Sequence, residues 1–137
     1  MKRVLETIDK RIQNLEEDLK HAKLMREKAI EEANNNELYR NKYYYRIDNS
    51  QDGRYKFYYH VKYAEQIINE NQLKFQGDSI IVREGSRDIE YSYSTGTLVF
   101  TITDILEIDK EEYMKILNNS LDYVTRSFRD IEQDKQD

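Results

Sequence analysis

The sequence predicts an α+β fold: a long N-terminal heptad helix, an antiparallel sheet of about five strands with a short helix inserted, and a long C-terminal helix. Three observations carry this. Apolar residues recur at alternating gaps of three and four near both ends of the chain. Between those ends the residues alternate with a period of two. Turn signals, most of them containing glycine, separate the alternating runs. At 137 residues the chain reads as a single domain. It divides into a heptad helix at 1–36, a tyrosine-rich sheet at 38–103 and a C-terminal helix at 109–132.

The first helix has its seam at Leu5, Ile8, Ile12, Leu15, Leu19 and Ala22. Leu5, Ile12 and Leu19 fall at a, and Ile8, Leu15 and Ala22 at d. Such a repeat holds one narrow stripe against a partner helix. That partner is a helix of this chain, a second copy, or a foreign protein. In a parallel homodimer Arg11 faces Glu16 and Asp18 faces Lys23, and both pairs attract. Exposed pairs of this kind contribute only about 0.2–1 kcal/mol, so they select a partner more than they hold it. Asn34-Asn35-Asn36 then predicts the helix stop, because asparagine competes for its own backbone.

Residues 42–48 and 54–63 read as a hairpin closed by Asn49-Ser50-Gln51-Asp52-Gly53, where glycine supplies the positive φ. In the second strand, alternation puts Tyr55, Phe57, Tyr59, Val61 and Tyr63 on one face. Arg54, Lys56, Tyr58, His60 and Lys62 fall on the other. In the first strand Tyr44 and Arg46 lie opposite Tyr43, Tyr45 and Ile47. Residues 64–71 read as the short helix, with Ile67 and Ile68 buried. Gln76-Gly77-Asp78 reads as a turn. Strands at 79–83, 89–94 and 97–103 complete the sheet, so that all four glycines sit in turns. The apolar run Leu98-Val99-Phe100 marks a central strand covered on both faces. Asp109 with Glu112 three residues on starts the last helix as an aspartate form of the capping box. Met114, Leu117, Leu121, Val124, Phe128 and Ile131 repeat the heptad spacing there. The polar tail after Glu132 is expected to fray.

The totals exclude several chemistries. With no cysteine there is no disulfide, no thiolate nucleophile and no cysteine-ligated zinc, and a reducing, cytoplasmic setting fits. No stretch approaches the ~20 apolar residues of a membrane span, and no signal sequence opens the chain. There is no glycine-rich phosphate loop. His21 lies off the seam, and His60 has no partner at catalytic spacing. Asp104, Glu107, Asp109, Glu111 and Glu112 cluster without matching a calcium loop. Asp88 and Glu90 have strand spacing but no following lysine, which a nuclease edge would need. The expectation is no enzyme, no metal and no cofactor.

One surface differs in character from the rest. The chain carries a net charge of −5, yet residues 38–63 hold six basic and two acidic side chains. Eight of the twelve tyrosines lie in the same stretch. A face of Tyr44, Arg46, Arg54, Lys56, Tyr58, His60 and Lys62 is therefore the expected binding site. Cations hold phosphates or carboxylates, and rings stack on bases or anchor a protein interface. The leading reading is a non-catalytic interaction protein that occupies a partner's surface, of the kind phages and mobile elements use as accessory or anti-defence inhibitors. The acidic stretch 104–137 then mimics phosphate charge if the target is a nucleic-acid enzyme. The alternative is a protein that binds or sequesters a nucleotide or single-stranded nucleic acid through the basic hairpin.

Overall fold

The computed structural model describes residues 1–136, with side chains described to Ile131. The element order is α1 (Lys2–Tyr39), β1 (Lys42–Ser50), β2 (Gly53–Ile68), β3 (Gln72–Glu84), β4 (Ile89–Thr101), a 3-10 turn at Ile102–Asp104, β5 (Leu106–Ile108) and α2 (Lys110–Gln136). The fold is α+β, with one five-stranded antiparallel sheet. No described helix is long and apolar enough to cross a membrane. Residues Met1–Asn34 form one compact unit and Asn35–Asp137 a second.

In the first unit every residue from Met1 to Glu31 is exposed. The asparagine run does not stop α1. Asn35 is buried, and the Asn36 amide takes both backbone groups of Ala64, accepting from its N–H at 2.9 Å and donating to its carbonyl at 3.0 Å. The β2–β3 register shifts between Ala64 and Gln66, so a side chain supplies there what a ladder would. The stop comes at Asn41, whose φ of 60° is the left-handed conformation that asparagine tolerates.

The sheet order is β4-β3-β2-β1-β5. Strands β1 to β4 form a meander, and β5 returns to pair with the far side of β1. The segment 64–71 is not a helix. Strand β2 runs on to Ile68, and Asn69 and Glu70, both at positive φ, turn the chain back into β3. The short helical element is the 3-10 turn instead. Gly77 and Gly96 are not in turns either; they face each other across β3 and β4. A Cβ on Gly77 would sit 2.0 Å from the His60 carbonyl oxygen, so close strand approach demands glycine there. With no turn at Gly96, the two strands expected at 89–94 and 97–103 are one strand, β4. It lies at the edge of the sheet: Phe100 is buried, while Val99 is exposed. The run Leu98-Val99-Phe100 is therefore not central.

Two apolar clusters fill the two sides of the sheet. One buries Tyr44, Tyr59, Val61, Ala64, Leu73, Phe75 and Phe100, with Tyr39, Ile102 and Ile105 packed on it. The other buries Tyr58, Ile80 and Val82 beneath Tyr113, Ile116 and Leu117 of α2. The predicted cap holds: Glu112 N–H donates to Asp109 Oδ1 at 2.8 Å. Helix α2 continues through the residues expected to fray as far as Gln136, and Asp137 lies outside the described residues.

Candidate interaction surfaces

Strand register decides what the basic hairpin can present. Tyr44 pairs with Tyr59 and Arg46 with Phe57, so Tyr44 and Arg46 share a face with the odd-numbered residues of β2. Tyr58 and His60 pair with Tyr45 and Tyr43 on the opposite face, which α2 covers. The seven expected binding residues are thus split between two faces, and the face read as wet carries a helix. Alternation within each strand was read correctly. The phase between β1 and β2 was not, because it depends on the turn closing with only Gln51 and Asp52 between Ser50 and Gly53.

Each residue then finds a local role. Tyr44 is buried against Phe100, with ring centroids 5.3 Å apart, and burial raises its phenol well above the ordinary range, Glu107 adding to the shift. Tyr58 is buried beside Tyr45, and its phenol is pushed up to about 12 by burial first and then by the neighbouring Tyr45 and Glu112. Lys56 pairs with Glu84 at 2.6 Å, Lys62 with Asp78 at 3.1 Å, and Arg54 is exposed at the strand end.

His60 stacks on Tyr43 at 4.5 Å and lies 5.8 Å from the Tyr113 ring. Its Nδ1 is 3.8 Å from Asp78 Oδ2. Burial lowers the imidazole pKa below its ordinary value; Lys62 and Lys110 push the same way, and Asp78 opposes them. Burial alone would raise the Asp78 carboxyl, but hydrogen bonds from Thr95, Tyr93 and Lys62 outweigh it and hold the group low. Tyr113, in the first turn of α2, packs on His60 and Tyr43 of this region.

The half-covered part of the other face gathers residues that the hairpin pattern alone did not select. Tyr55, Phe57 and Tyr59 stack in a ladder with successive centroids 6.4 Å apart. Arg46 lies 3.7 Å above the Phe57 ring and donates from Nε to the Tyr59 hydroxyl at 3.2 Å. Ile81 and Arg83 sit beside Phe57 and Tyr55 in β3. Arg83 is held by Glu90 at 3.2 Å and by the Asp52 carbonyl at 3.1 Å. Tyr55 donates to Asp52 Oδ2 at 2.7 Å. This is a flat aromatic surface whose cations are stacked or neutralised. Arg83 follows the apolar run of β3, and only the strand pairing shows that it joins this face.

In the first unit the seam residues Leu5, Ile8, Ile12, Leu15 and Leu19 are 48–59% exposed. Five large apolar side chains in one stripe of the helix are left facing solvent. No family model, curated protein or solved structure matches the chain.

Proposed function

We propose that this chain is a non-catalytic interaction protein that self-associates through α1 and occupies a partner's surface with its sheet unit. The exposed heptad seam carries this reading, since a 3.5-residue apolar repeat has no function in water except to meet another helix. Charge supports a second copy in parallel. That arrangement gives Arg11–Glu16 and Asp18–Lys23 in both directions and sets no like charges face to face between Leu5 and Ala22; Arg26, the next a position, meets its own copy beyond them. An antiparallel pairing that sets Leu15 opposite Ile12 brings Arg11 to Asp18 but also opposes Asp9 to Glu16, a repulsion the parallel one avoids. The aromatic face of Arg46, Tyr55, Phe57, Ile81 and Arg83 is the surface offered to the partner. Arg83 is neutralised by Glu90 and Arg46 is stacked on Phe57, so the face suits a protein better than a phosphate backbone, which draws its affinity from several unneutralised lysines and arginines. An accessory or inhibitor protein of a reducing cytoplasm fits this set of features.

Light scattering tests the self-association. The wild-type chain is expected at twice the monomer mass at high micromolar concentration, and Ile12→Asp, at the central a position, returns that contact to monomer. A wild-type protein that stays monomeric under these conditions rules the reading out.

A further inference from the structure

Helix α2 is fastened to the sheet by a small patch. Tyr113 and Ser120 are buried in it, and Ile116, Leu117 and Tyr123 are half-buried. The patch starts in the first turn of the helix. There the Tyr113 ring lies 4.9 Å from Tyr43 and 5.8 Å from His60, and His60 stacks on Tyr43 at 4.5 Å. Two atoms weaken this contact. The Tyr113 hydroxyl and Asp78 Oδ1 are buried, and neither has a hydrogen-bond partner among the described residues. Lifting the first turn returns the hydroxyl to water, which offsets part of the cost of separating the rings. The start of α2 is thus the kind of segment that opens locally without global unfolding.

The groups around His60 decide what a proton does there. Lys42 of β1 and Lys110 of α2 line the same cleft, and Lys62 follows two residues on in β2. Of the acids, Asp78 of β3 is nearest, with Oδ2 3.8 Å from Nδ1. That oxygen is already paired with Lys62 at 3.1 Å, and the carboxylate also takes hydrogen bonds from Thr95 and Tyr93 of β4. Asp109 of α2 is spent on the Glu112 N–H, and Glu112 itself acts on Tyr58. Glu107 of β5 borders the cleft but pairs in register with Tyr44, on the other face. A proton on His60 therefore adds a cation beside Lys62 and Lys110, near the positive end of the α2 dipole, at a place that burial already makes poor for charge.

We propose that the first turn of α2 is an acid-sensitive latch: a proton on His60 releases Tyr113 and lifts the start of the helix from the sheet. Release uncovers Tyr58, Ile80 and Val82, and it frees Leu117, so that the heptad stripe from Met114 to Ile131 is presented whole. The lowered imidazole pKa agrees in sign. The open state binds the proton more tightly than the docked one. Docking is therefore at full strength above about pH 6.5 and weakens as pH falls through the lowered value. The proton can shift the balance only by the ratio of its two affinities, so the latch loosens and the sheet stays folded.

Thiol labelling of the full chain tests the latch. Ser120→Cys puts a thiol in the docked patch of α2, and Ser79→Cys puts one at a buried position on the other face, opposite Tyr59 in the register. Labelling by dithiodipyridine, compared with a free cysteine peptide at the same pH, gives a protection factor for each. At pH 5.5 the thiol at 120 is expected to be protected about tenfold less than the thiol at 79, because it opens locally. From pH 7.5 to pH 5.5 its protection is expected to fall about threefold or more, and adding His60→Gln is expected to abolish that fall. Amide exchange of the wild type reads the same opening without a substitution, residues 113–120 losing protection while β2 and β3 stay the more protected. Equal protection at the two positions at pH 5.5 means that only global unfolding occurs and overturns the latch. So does a fall that survives His60→Gln, or protection at 120 that does not change with pH.

Discussion

At the residue scale, Gly77 and His60 meet at one point, and each makes a prediction. Gly77→Ala forces a methyl group into the His60 carbonyl of the neighbouring strand. Backbone on both sides leaves little room to relax, so stability should fall by at least about 2 kcal/mol, toward the upper range for overpacking. Urea unfolding monitored by circular dichroism measures it. His60 predicts a pH dependence. Its folded pKa lies below the ordinary value of 6.5, so the unfolded chain takes up a proton first as pH falls. The stability contributed by the neutral, stacked imidazole is complete above about pH 6.5 and is lost as pH falls through the lowered folded value. Asp78 acts in the same direction in a separate window, below about pH 4, because its carboxyl is also depressed. The urea midpoint of the wild type should drop from pH 7.5 to pH 5.5 by more than that of His60→Gln; equal drops would assign the slope elsewhere. Neither residue announced this role in the sequence. Gly77 resembled a turn glycine, and His60 a surface histidine.

At the scale of elements, periodicity was informative and phase was not. The heptads of α1 and α2, the 42–63 hairpin and the Asp109 cap were all legible, because each signal is local. The errors fall where a long-range partner decides. Residues 64–68 stay extended because β3 pairs with them through a register shift, and Asn69-Glu70 was a turn signal hidden behind Ile67 and Ile68. Asn34–Asn36 looked like a stop, yet Asn36 is spent on Ala64. The binding face was misjudged for the same kind of reason. Tyr58 and His60 appear wet until α2 is laid over them, and sequence alternation alone does not say which face a distant helix will cover.

At the scale of the whole molecule, large apolar side chains are exposed along the α1 seam and on α2 at Val124, Phe128 and Ile131, while the aromatic ladder of Arg46 and Phe57 is half-buried. If α1 self-associates as proposed, the seam fixes partner, orientation and register at once. The chain has no cysteine, so a single introduced one reports on that geometry without interference. Leu15→Cys places a thiol at a d position, where in a parallel, in-register pair it meets its own copy, whereas in an antiparallel pair it meets position 12. Under mild oxidation the account predicts near-complete conversion to a disulfide-linked dimer on a non-reducing gel, at a protein concentration where a Lys20→Cys control, off the seam, stays monomeric. Equal cross-linking of both variants, or none in Leu15→Cys, would contradict it.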